Sequence, residues 1–185
     1  MSARWVGVVM LVATLAGCSG APSLDPVPTA AAAPFLCDGV PQAGMALALG
    51  GPVKATQDVG AWGGEGFEEF DCTVEPSPNG PGVVFVTNED MRVVVMDGDE
   101  ERQRASLKSQ ANPAPIHADA DGWGYVVGTG HGQTAGWVCN GRYISVEVDA
   151  NVEGRDQRAD AQALLVSMLP WACGHQKPPE RTVGK

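Results

Sequence analysis

Apolar residues recur along this chain at two spacings, every second residue and every third or fourth, and each spacing predicts a different element. Phe70, Cys72 and Val74 alternate with Asp71 and Thr73, which predicts a half-buried strand. Val83-Val84-Phe85-Val86 and residues 91–96 predict two more strands. Turns at Pro78-Asn79-Gly80-Pro81 and Asn88-Glu89-Asp90 lead into them. In the second half, Tyr125-Val126-Val127 and Trp137-Val138-Cys139 predict strands on either side of a Gly130-His131-Gly132 turn. Asn140-Gly141 then predicts a tight hairpin into Ile144, Val146 and Val148, which alternate with Tyr143, Ser145 and Glu147.

Helical spacing recurs three times. Pro41 opens a predicted helix over 42–49, and Gly50-Gly51-Pro52 stops it. Asp97 and Asp99 offer caps for a second, weakly amphipathic helix that ends before Pro113. A third helix is predicted over 155–169, where Ala161, Leu164, Leu165, Met168 and Leu169 fall on one face and Pro170 ends the run. Three strands between each pair of helices predict an α+β domain. Its form is an antiparallel sheet of about six strands with helices on one face.

The N-terminal segment has a different pattern. Arg4 is the only charged residue before Asp25, and residues 5–15 form an apolar run too short to span a bilayer as a helix. The run closes on Leu15-Ala16-Gly17-Cys18, small residues ahead of a cysteine. This segment resembles the signal peptide and lipobox of bacterial lipoproteins. The resemblance implies that residues 1–17 are removed and that Cys18 is lipidated and becomes the N-terminus. It further implies a protein of 168 residues held on the extracytoplasmic face of the cell membrane through its lipid.

Residues 18–34 are rich in Pro and Ala and predict a tether that could extend about 50 Å. Residues 35–174 are expected to form the single domain, and 175–185, with Pro178-Pro179, a disordered tail. Four cysteines remain once Cys18 is set aside, and an even number in an exported chain favours disulfides. Three pairings are possible. The similar separations of Cys37 from Cys72 and of Cys139 from Cys173 favour those two bonds, each worth about 3–4 kcal/mol on the loop-entropy account. Zinc is the weaker reading because no Cys-x-x-Cys or Cys-His spacing is present.

The body also resembles uncharacterised cysteine-bearing actinobacterial lipoproteins, through Phe35-Leu36-Cys37-Asp38, Leu49-Gly50 and Asp71-Cys72-Thr73. It lacks the aromatic residue those families often place just after the second cysteine. Composition narrows the function classes further. Twelve basic against 22 acidic residues give a net charge of −10, which excludes a nucleic-acid grip and a polybasic grip on headgroups.

Candidate chemistry is thin. No serine of the exported chain sits in a nucleophile motif. Of three histidines, His131 lies in a glycine-flanked turn, His175 near the C-terminus, and His117 opens His117-Ala118-Asp119-Ala120-Asp121-Gly122. That spacing partly matches a calcium loop, but the twelfth position is Gly128 where a bidentate Glu is needed, so a solvated acidic turn is the better reading. Trp62, Trp123 and Trp171 are candidates for a sugar- or peptide-binding groove, against the simpler expectation that they plug the core. No catalytic residue, metal site or cofactor is assigned. The expected function is a non-catalytic module that binds an envelope protein or small ligand. The alternative is an envelope hydrolase built around His131 or His117.

Overall fold

The computed structural model describes residues 23–59, 62, 70–77, 82–90 and 100–182. Seven strands form one sheet: β1 (Val53–Val59), β2 (Phe70–Pro76), β3 (Val83–Asp90), β4 (Ala111–Ile116), β5 (Trp123–Gly128), β6 (Gln133–Cys139) and β7 (Arg142–Asp149). Three helices accompany it: α1 (Gln42–Ala48), α2 (Glu100–Ser109) and α3 (Gln157–Ala172). The strand order is β1-β2-β3-β7-β6-β5-β4, and every neighbouring pair is antiparallel. Two meanders are thus joined where β3 pairs with β7. The α+β class holds, with one strand more than the hydrophobic pattern indicates.

Alternation decides which side chains enter the core. Phe70, Cys72 and Val74 on β2, Val84 and Val86 on β3, and Ile144, Val146 and Val148 on β7 are completely buried. Their register aligns Cys72 with Val86 and Val86 with Val146, so they form continuous apolar rows across three strands. α3 covers this surface at β6 and β7 and buries Ala161, Leu164, Leu165, Met168 and Leu169. α1 packs beside α3 on the same face. A β-carbon at Gly44 would stand 2.9 Å from a Leu164 methyl, so glycine permits the approach. The Asn140-Gly141 hairpin forms as predicted, with φ of 50° and 72° at its two corner residues.

Several boundaries differ from the sequence pattern. Asn88-Glu89-Asp90 continue β3 instead of turning, because all three pair with β7. The strand expected over 91–96 and the caps at Asp97 and Asp99 lie outside the described residues. Pro170 sits inside α3 instead of ending it. Proline removes one hydrogen bond, but Trp171 and Ala172 beyond it are buried, and that burial carries the helix onward. β1 and β4 are unanticipated. β4 reads Ala-Asn-Pro-Ala-Pro-Ile and lies at the sheet edge, where missing amide donors cost little. α1 and α3 share one face as expected, whereas α2 lies over the other face of β4 and β5, above Trp123 and Tyr125.

The tether and the tail are also corrected. Val27 is a core residue, 5% exposed, and the Ser23 and Asp25 carbonyls accept hydrogen bonds from Arg155 at 2.7 and 3.1 Å. Arg155 is held in turn by both Asp160 oxygens, at 2.8 and 2.6 Å. At the other terminus, the Gly39 amide donates to Pro179, the Thr182 amide to Phe35, and the Arg181 amide to the Asp38 carboxylate. Composition underestimates both segments. Their prolines reduce the entropy lost on ordering, and backbone hydrogen bonds substitute for apolar burial.

The disulfides are Cys37–Cys72 and Cys139–Cys173, with Cα separations of 6.3 and 5.6 Å. The first ties the segment before α1 to the middle of the first meander. The second ties the end of β6 to the end of α3.

Candidate functional site

The β4–β5 loop, residues 117–122, lies at one end of the sheet and contributes to two clefts. Its position follows from two local contacts. The Trp137 indole N–H donates to the Asp121 carbonyl at 3.0 Å. Gly122 has φ of 114°, and a β-carbon there would stand 2.1 Å from the Val138 carbonyl oxygen. Only glycine lets the loop lie this close to β6.

One cleft, of about 710 Å³, is walled by Asp119 and Asp121 of the loop, Asn140 of the hairpin, Pro170 of α3, and His175 beyond it. The Asn140 side chain donates to the Cys173 carbonyl at 2.8 Å, which closes the base beside the second disulfide. Among the described residues no three His, Cys, Asp or Glu side chains converge on a point where a metal could sit.

The other cleft, of about 350 Å³, shares Ala118 and Ala120 of the loop with the first and is otherwise lined by different residues. Trp123 and Tyr125 project from the sheet face opposite the main core, since Gly124 and Val126, which alternate with them, are buried. Pro115 pairs with Tyr125, and His117, just past the end of β4, lines the same cleft. Arg104 of α2 stacks over the Trp123 ring at 4.8 Å, and Lys108, one turn later, lies 5.7 Å from the Tyr125 ring centre. These two rings, the Arg104 guanidinium and an imidazole line this cleft, and Lys108 lies near it over Tyr125.

The sequence-derived candidates separate cleanly. Trp62 is 6% exposed, stacks on Phe70 at 4.3 Å and donates to the Asp38 carbonyl, so it is a core plug. Trp171 is likewise buried, edge-on to Phe35. Of the three, Trp123 lines a cleft. His131 is exposed in the β5–β6 turn, closed by a Thr129–Gly132 hydrogen bond of 3.0 Å, at the opposite end of β5 from the loop. His117 and His131 are therefore not brought together. None of the three histidines hydrogen-bonds to another described residue. Cys18 lies outside the described residues.

Arg104, Lys108 and Pro115 escape a motif search, because none belongs to a recognisable pattern. The available signal was the four-residue spacing of the two cations together with two-residue spacing at Pro115/His117 and Trp123/Tyr125. No protein-family model matches the chain, and no curated protein or solved structure is significantly similar to it.

Proposed function

We propose that the chain is a lipid-anchored cell-envelope protein, acylated at Cys18 on the extracytoplasmic face of the membrane. Its folded body is a non-catalytic module that binds a partner protein or small ligand. The observation that carries this reading is the distribution of the five cysteines. Four are consumed in two disulfides, which persist in oxidising compartments, and the fifth closes Leu15-Ala16-Gly17-Cys18. Among the described residues no helix is long and apolar enough to cross a membrane, so in this reading the lipid provides the attachment. Two acyl chains hold durably where one does not.

The docked N-terminal segment shortens the reach. Cys18 is five residues from Ser23, whose carbonyl Arg155 holds, so the link spans at most about 18 Å. The body then rests close to the bilayer. Ser23 lies near the N-terminal end of α3, whereas the larger cleft beside the β4–β5 loop lies at the C-terminal end of α3. Support for binding comes from the ring-lined cleft, which offers an aromatic surface and an Arg104 guanidinium without a hydrogen bond to any described residue.

Cys18→Ser tests the anchor. Fractionation with a labelled fatty acid should show loss of label and either release from membranes or an uncleaved precursor. Label retained in the variant contradicts the reading.

A further inference from the structure

We infer that the cleft between α2 and the β4–β5 ribbon binds a small organic oxyanion, a carboxylate or phosphate monoester on a flat apolar body. The inference rests on the binding-module reading and names its ligand class. Arg104 and Lys108 stand four residues apart on α2, where like charges repel. The protein carries nearly twice as many acidic as basic residues, yet no described carboxylate pairs with either cation. Neither cation hydrogen-bonds to any described residue.

The rings beneath them explain how the two cations are kept in place without a hydrogen bond to any described residue. An aromatic face attracts a cation through its quadrupole and uses none of its N–H groups. Placed 4.8 Å over the Trp123 ring, the Arg104 guanidinium spends no donor on that contact, and its planar fork matches a carboxylate or phosphate. His117 lines the same cleft and is exposed. Pro115, Ala118 and Ala120 supply an apolar wall, and the volume of about 350 Å³ suits a small molecule. The charge recognises the anionic head, and the wall recognises the body.

The test is a titration of the full chain with phenyl phosphate, benzoate and the neutral isostere benzyl alcohol. It is followed by NMR of the Trp123 indole N–H, assigned by its loss in Trp123→Phe. At least one oxyanion should shift that resonance and bind about tenfold more tightly than benzyl alcohol. The phosphate and carboxylate arms show which head the site prefers. Arg104→Gln should weaken the oxyanion about tenfold and leave benzyl alcohol unchanged, and Arg104→Lys should recover part of the loss. Should Arg104→Gln fail to fold, the wild-type comparison of charged and neutral probes still decides. Equal binding of the neutral probe overturns the oxyanion assignment and leaves the binding-module reading standing. No shift by any probe up to about 10 mM likewise overturns the oxyanion assignment and leaves the binding-module reading, which includes protein partners, standing.

Discussion

Replacing Arg155 with Met keeps the aliphatic stem and deletes the charged head, which tests how the N-terminal segment is held. The guanidinium makes two bonds to Asp160 at 2.8 and 2.6 Å and two to the carbonyls of Ser23 and Asp25. The Arg155 and Asp160 side chains are only 3% and 6% exposed, so water screens the pair little. Removing one partner of a buried ion pair strands the other charge and costs about 3–5 kcal/mol. That is a large share of the roughly 5–15 kcal/mol by which domains of this kind are stable. Urea unfolding, followed by tryptophan fluorescence with the disulfides intact, should show the midpoint falling by about 2 M for a slope near 2 kcal/mol per M. Limited proteolysis should then cut within residues 23–30 of the folded variant. Replacing both partners, Arg155→Met with Asp160→Leu, should restore much of the global stability but not the protection of the segment. A loss below about 1 kcal/mol, or a double variant no more stable than the single one, would refute the clamp.

Non-reducing peptide mapping should recover Cys37–Cys72 and Cys139–Cys173 and no free thiol among those four residues. Converting Cys139 and Cys173 together to serine should cost about 3–4 kcal/mol, with a cost under 1 kcal/mol counting against the bond's structural weight. His131→Ala should change stability by well under 1 kcal/mol, as at most exposed sites, and should fully complement any envelope phenotype of a deletion strain. Loss of complementation by a folded, acylated His131→Ala would move the hydrolase reading ahead.

How much of this was legible in the sequence depended on whether an element pays its energy through apolar periodicity. β2, β7 and α3 do, and their buried faces follow the pattern residue by residue. β1 and β4 do not. They are edge strands whose hydrogen bonds to one neighbour hold them, and a sequence such as Ala-Asn-Pro-Ala-Pro-Ile gives no periodic cue. The docked termini were hidden for a similar reason, since backbone carbonyls and amides carry no residue-specific signal. At the candidate cleft, His117 and Trp123 were visible as residue types. Their meeting with Arg104 was not, because it depends on α2 crossing to the second face of the sheet.

The central claim is an acylated, disulfide-bonded envelope protein, and intact-mass spectrometry of the native protein from its own membranes tests it most directly. The account predicts a chain beginning at Cys18, heavier than the residues alone by the diacylglyceryl group and any further acyl chain. It also predicts a mass lower by four hydrogens, for two disulfides. A chain starting elsewhere without lipid, or one with four free thiols, would contradict it.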